Sequence, residues 1–246
     1  MTTRGWISLK ALVCGLLLSG VIGCSTLSGG RMAKDGGADA KAVIDAVSSR
    51  DFDGVKKLVE SGSPIDRAAA EFQGSTPLYV AAELGDVQIA SYLLGKGADP
   101  DLKNSVGRTP LMTASYYGHF EVAQLLIERK AEVDIRDDRG ATALLLAAIE
   151  NHPDIAELLI ARGADVNVQD QNGQTPLMVA TGKGRVKVAT LLLEHGADVA
   201  LSDKQGWTPL RLARYFGYLG LEALLIKHGA TEETEPLEPA EGEERW

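Results

Sequence analysis

Gly163-Ala164-Asp165-Val166-Asn167, followed by Gly173-Gln174-Thr175-Pro176-Leu177, is the stretch on which the reading of this chain turns. Its second half returns along the sequence. Thr-Pro-Leu begins at Thr76, Thr109, Thr175 and Thr208, and the variant Thr142-Ala143-Leu144 fills the gap, each step being 33 residues. The first half moves in the same phase, as Gly97-Ala98-Asp99, Lys130-Ala131-Glu132, Gly163-Ala164-Asp165, Gly196-Ala197-Asp198 and Gly229-Ala230-Thr231. A unit of this length is one supersecondary element that buries its apolar side only against neighbouring units.

Each period predicts turn, helix, short turn, helix, loop. Thr109 is placed to accept an orphan backbone N–H as N-cap, and Pro110 occupies the first helical position, where an N–H would have no partner. Leu111, Ala114 and Ser115 continue the packed side of that helix, and Gly118 ends it with a left-handed residue. Phe120, Val122, Ala123, Leu125, Leu126 and Ile127 give the second helix its apolar face. The hairpin loop then runs from Asp134 to Gly140.

The pattern Gly-x-Thr-Pro-Leu, Ala-Ala, Gly-His, Leu-Leu, Gly-Ala-Asp-Val-Asn resembles the ankyrin repeat. The resemblance spans residues 39–231 and implies an all-α solenoid of helix-turn-helix units joined by hairpin loops. It divides into a degenerate N-terminal cap at 39–66 and five repeats over about 74–231. In the cap, Val43, Ala46, Val47, Val55, Leu58 and Val59 fall on core positions while Asp45, Lys56 and Lys57 are polar, as a capping unit requires. The linker Pro64 to Gln73 is two residues longer than its counterparts. Arg214 stands where the other repeats carry a small residue and Arg211 where the family usually has His, which marks the fifth repeat as terminal. The histidine that the family carries after Thr-Pro-Leu is replaced throughout by Tyr79, Met112, Leu145, Met178 and Arg211. Lys130 and Asn151 replace helix-ending glycines, so a softer joint is expected around 130–152.

Composition is that of an ordinary soluble protein, with 45% hydrophobic and 24% charged residues. The net charge of −9 and the lack of a basic run argue against nucleic acid as a partner. Both cysteines, Cys14 and Cys24, precede the repeats, so the repeat body can build neither a disulfide framework nor a thiolate zinc site.

Residues 1–23 read as a signal peptide: Arg4 and Lys10 precede the uncharged apolar run Ala11 to Ile22, which is short of the roughly 20 residues a membrane span needs. Val21-Ile22-Gly23-Cys24 resembles the lipobox of bacterial lipoproteins, which implies cleavage before Cys24 and lipidation of its thiol and amino group. By the same resemblance Ser25 implies an outer-membrane address facing the periplasm. Residues 24–38, rich in Gly and Ser, are expected to form a flexible tether, and the acidic residues 232–246 a disordered tail.

No catalytic constellation emerges from the sequence. His119 and His152 are one period apart, as are His195 and His228. They admit a metal bridging adjacent repeats or plain surface histidines at helix ends; the second reading is preferred, because no Cys and no third ligand joins them. No glycine-rich phosphate loop and no nucleophile–base–acid grouping is present. Asp99, Asp165 and Asp198 are assigned to local turn capping. No enzyme activity, cofactor, metal or small-molecule substrate is expected.

On the ankyrin resemblance, hairpin tips and inner helix ends line a concave binding surface. The matching residues are Phe72, Ser75, Arg108, Tyr116, Tyr117, Arg139, Ile149, Glu150, Gln174, Lys183, Trp207, Tyr215 and Phe216. This set holds six of the thirteen aromatic residues, and Tyr, Trp and Arg are the types that dominate binding hot spots. The chain is therefore expected to be a monomeric, lipid-anchored scaffold of the bacterial envelope that binds a protein. An immunity or antagonist protein acting on a toxin or enzyme, and an accessory subunit of an outer-membrane assembly, are the alternatives.

Overall fold

The computed structural model describes residues 36–231. The signal peptide at 1–23, Cys24 and the tail at 232–246 lie outside the described residues, as does most of the tether. The first helix begins at Gly36, inside the span expected to be tether.

Twelve α-helices occur among the described residues, and no strand. They form six consecutive pairs. The cap pairs α1 (Gly36–Ser48) with α2 (Phe52–Glu60), and the first repeat α3 (Pro77–Leu84) with α4 (Val87–Gly95). The second repeat joins α5 (Pro110–Tyr117) to α6 (Phe120–Glu128), and the third α7 (Ala143–Glu150) to α8 (Pro153–Ala161). The fourth joins α9 (Pro176–Gly182) to α10 (Val186–Glu194), and the fifth α11 (Pro209–Tyr215) to α12 (Leu219–Lys227). The first helices stack on one another as an inner layer, α1 through α11, and the second helices as an outer layer, α2 through α12. Helices this short have little stability alone, so the stacking holds them.

The first helices start as the sequence predicts. Thr76, Thr109, Thr142, Thr175 and Thr208 each accept the N–H of the residue three positions on, at 3.2 to 3.4 Å. These hydroxyls are buried, so Thr→Ala would leave an orphan donor within the protein. Gly85 and Gly118 end α3 and α5 with φ of +69° and +79°. Lys130 and Asn151 adopt the same left-handed region, with φ of +68° and +66°. Both departures from glycine thus sit in backbone that disfavours a side chain. Between them, Ala141 through Ala148 are all buried.

One core runs through the repeats. In the cap, Val43, Val47 and Val55 are fully buried, and Ala46, Leu58 and Val59 are partly so. Ile44 is also fully buried, a core position the sequence reading left out. The long linker contains a single 3-10 turn at Ala70–Phe72, and Lys41 of α1 pairs with Glu71 on it.

Candidate protein-binding face

The hairpins are built by side chains that fold the backbone locally. Asn104, Asp137, Asp170 and Asp203 recur at the period. Each turns its Oδ1 on two backbone N–H groups: Asp137 accepts from Arg139 at 2.9 Å and Ala141 at 2.8 Å, and Asp170 from Asn172 and Gln174, both at 2.8 Å. Successive hairpins are tied by single backbone bonds, Ser105 N to Gln73 O, Asp138 N to Val106 O, Gln171 N to Arg139 O and Lys204 N to Asn172 O. This column of one Asn and three Asp, one residue in each hairpin, was legible as a periodic signal and was missed. Asp99, Asp165 and Asp198 cap their turns as expected, each accepting the N–H two residues on.

The inner helices end on the same side. Glu83, Tyr116, Ile149, Gly182 and Tyr215 occupy one register position, and Leu84, Tyr117, Glu150, Lys183 and Phe216 the next. Two of the histidines fix this edge. His119 Nε2–H donates to Glu83 O at 3.0 Å, and His152 Nε2–H to Tyr116 O at 3.2 Å. Each ring reaches back across a joint onto the preceding repeat, so the expectation of plain surface histidines holds for neither. His195 and His228 are exposed C-cap residues of α10 and α12. Among the described residues no group of three His, Cys, Asp or Glu is disposed to hold a metal ion.

Six of the expected residues gather into two clusters. In the first, Tyr116 and Tyr117 meet edge to face with centroids 5.1 Å apart, and the Arg108 guanidinium lies 5.5 Å over Tyr116 while pairing with Asp137 at 3.5 Å. The Tyr117 hydroxyl donates to Glu83 at 3.4 Å. Burial and the Glu83 carboxylate push that phenol up to about 12. Burial and Glu150 raise Tyr116. Glu83 belongs to the register of Tyr116 and follows Ala81-Ala82, a position absent from the sequence-derived set. Tyr117 is 43% exposed, which makes this cluster accessible.

The second cluster corrects one expectation. Trp207, placed on the accessible face from sequence, is only 5% exposed and packs with Met178 and Leu212. An indole is large enough to close the gap between the fourth and fifth repeats, and burial there returns more than exposure. Tyr215 stacks edge-on against it at 5.2 Å and is 53% exposed; Phe216 is half-buried. The remaining residues stand apart: Phe72 in the 3-10 turn and Ile149 pack partly on the core, Arg139 is exposed at a hairpin tip, and Lys183 closes α9 half-buried. Ser75 is buried, Gln174 half-buried and Glu150 exposed.

Two stacked layers of paired helices with capped hairpins define the class of helical repeat solenoids. A family model described as ankyrin repeats (3 copies) matches residues 27–104, 43–137, 86–170 and 144–235. The chain belongs to the ankyrin-repeat family, whose members are generally non-enzymatic binding scaffolds, and a protein–protein interaction role follows from that membership. No curated protein matched the chain.

Proposed function

We propose that the chain is a monomeric, membrane-tethered scaffold of the bacterial envelope that holds a protein partner on its hairpin and inner-helix face. The observation that carries the binding site is the cluster of Tyr116, Tyr117, Glu83 and Arg108. A 43% exposed tyrosine held by an aromatic neighbour and a carboxylate offers rigid, amphipathic area at little entropic cost. Tyr215 extends the face toward the fifth repeat. Trp207, being buried, supports the face from below. The test is replacement of Tyr116 and Tyr117 by Ala, followed by cross-linking in intact cells. Loss of the captured protein at unchanged fold supports the site, and undiminished capture rejects it.

The tether is the second part of the reading. It rests on Arg4, Lys10, the apolar run before Gly23 and the Cys24 that follows. No helix among the described residues is long and apolar enough to cross a membrane. Several acyl chains on Cys24, each methylene contributing about 0.8 kcal/mol, would hold the protein on a bilayer, with Ser25 directing it to the outer membrane and the repeats into the periplasm. Cys24→Ser is expected to move the protein from the membrane fraction to the soluble one; a mutant that still sediments with membranes contradicts the anchor.

A further inference from the structure

The turn that joins the two helices of each repeat lies along one edge of the stack, and its chemistry changes abruptly at the fourth repeat. In the first repeat this turn, 83–88, holds Glu83 and Asp86. In the second, 116–121, it holds Glu121, and in the third, 149–154, it holds Glu150 and Asp154. In the fourth, 182–187, it holds Lys183, Arg185 and Lys187 and no acid. In the fifth it carries no charge and reads Tyr215-Phe216-Gly217-Tyr218-Leu219-Gly220. A chain of net charge −9 thus presents three cations and then an apolar turn at this end of the edge.

The fourth and fifth turns form one surface. The Tyr218 ring lies on the backbone of Gly184, where a Cβ would come 3.1 Å from its Cζ. Phe216 stacks on Tyr218 with centroids 5.8 Å apart, and Tyr215 meets Phe216 edge to face at 5.0 Å. Val186, Tyr215 and Leu219 stand clear of this platform, exposed by 51%, 53% and 76%. Lys187 is exposed beside Val186, and Lys183 is half-buried at the end of α9. Neither lysine makes an ion pair among the described residues, and nor does Arg185. The first turn is different, because Asp86 pairs with Arg50 at 3.9 Å and Glu83 accepts from the Tyr117 hydroxyl.

We propose that this surface takes an acidic, extended segment of the protein partner, with carboxylates over Lys183 and Lys187 and large apolar side chains beyond them on Tyr215 and Leu219. The assignment rests on the reading of the chain as a protein-binding scaffold and adds the chemistry of what is bound. Charge complementarity selects the acid, since unpaired cations on a rim steer an opposite charge onto it. The exposed leucine and tyrosine, backed by fixed rings, supply the apolar anchor. The order of the turns gives the segment a direction. Its acidic part lies over the fourth repeat and its apolar part over the fifth, because Glu150 and Asp154 of the third would repel a continuation of the acid. An anionic bilayer is the poorer occupant for the same reason. A flat charged surface meets the whole edge, and Glu121, Glu150 and Asp154 oppose it.

Peptide titration followed by amide chemical shifts tests this. The full chain is used with Cys24→Ser throughout, so that no acyl chain contributes. One probe is a short run of glutamates followed by leucine and phenylalanine; in the other, serines replace those two apolar residues. The first probe is expected to shift the amides of 182–187 and 215–220 and to bind about tenfold more tightly than the second. Lys183→Glu/Lys187→Glu, or about 0.5 M salt, should weaken both probes about tenfold, and Leu219→Ser should abolish the advantage of the first. Lys187→Glu alone, at an exposed side chain, should give part of that loss with an unchanged melt. Shifts confined to other turns, equal binding of the two probes, or indifference to Lys187→Glu overturns the proposal. Sedimentation with phosphatidylglycerol vesicles that Lys187→Glu abolishes, without peptide binding, overturns it by assigning the turn to a lipid surface. A dimer that Lys187→Glu dissociates overturns it by assigning the turn to a second copy. The Tyr116 and Tyr117 cluster lies outside these two turns, so capture by that cluster and peptide binding here fail separately.

Discussion

The joint between the second and third repeats and the joint between the third and fourth are one period apart and are built differently. At the first, Gly118 ends α5 with no side chain, and the His152 ring fills the space so closely that a Cβ on Gly118 would lie 2.4 Å from it. From that position Nε2 reaches Tyr116 O. At the second, the glycine is Asn151 and the histidine is Arg185. Asn151 holds the left-handed φ of +66° with a Cβ in place, and the Arg185 Nε is buried without a hydrogen-bond partner among the described residues. The joint between the first and second repeats repeats the glycine–histidine arrangement, with Gly85, His119 and Glu83 O. Glycine and histidine therefore work as a pair: the ring can reach the carbonyl only where the facing residue has no Cβ.

Breaking the good joint gives the largest effect. Gly118→Ala is expected to destabilise by about 2–3 kcal/mol, from the left-handed backbone and the displaced His152 bond together. His152→Ala alone is expected to cost about 1 kcal/mol. Adding it to Gly118→Ala should cost little more, because the ring is already displaced. Urea denaturation of the two single variants and the double variant checks this, and strict additivity would contradict the pairing.

Rebuilding the poor joint runs the other way. Asn151→Gly combined with Arg185→His is expected to gain about 1 kcal/mol, with Ile149 O as the new acceptor. Arg185→His alone should gain less, since the Asn151 Cβ still blocks the ring. Lys130→Gly, which relieves a left-handed lysine at +68° on the way into the third repeat, should raise the unfolding midpoint by an amount worth about 0.5–1 kcal/mol. A lowered midpoint would mean that Lys130 makes contacts that outweigh its backbone strain.

These contrasts explain what could be read from the chain. The step of 33 residues, the threonine caps and the left-handed Lys130 and Asn151 are local features, set by residues a few positions apart, and the sequence shows them. The contacts of His119 and His152 cross from one repeat to the next, and only the stacked helices reveal which carbonyl each ring meets. Trp207 was misplaced for the same reason. Its register is buried at Ser75 and Ala141 and half-buried at Arg108 and Gln174, so it lies at the edge of the joint, where the bulk of the indole closes the gap. Tyr116 and Tyr117 were legible as departures from the period, while the carboxylate partner Glu83 holds the Tyr116 register one repeat earlier and meets Tyr117 only once the repeats stack.

The smallest effect separates the aromatic cluster from the buried one. The Tyr117 phenol, raised to about 12, stays protonated in the fold while an unfolded tyrosine ionises near the ordinary value of 10. The folded state then holds the extra proton. This contribution to stability is fully present below pH 10 and is lost as pH rises from 10 toward 12. Partial exposure of the ring keeps it small. In an ultraviolet titration, Tyr117→Phe should remove one late-ionising tyrosine; an unchanged late step would mean that burial and Glu83 do not delay the ionisation of Tyr117.

The most direct test of the account is capture of the partner. Wild type and Tyr116→Ala/Tyr117→Ala are cross-linked in intact cells, and the captured proteins are compared alongside thermal melts of the two purified chains. The account predicts a specific protein captured by wild type and lost by the variant, with melting midpoints within a few degrees. The same protein captured equally by both chains, with the variant folded, would contradict it.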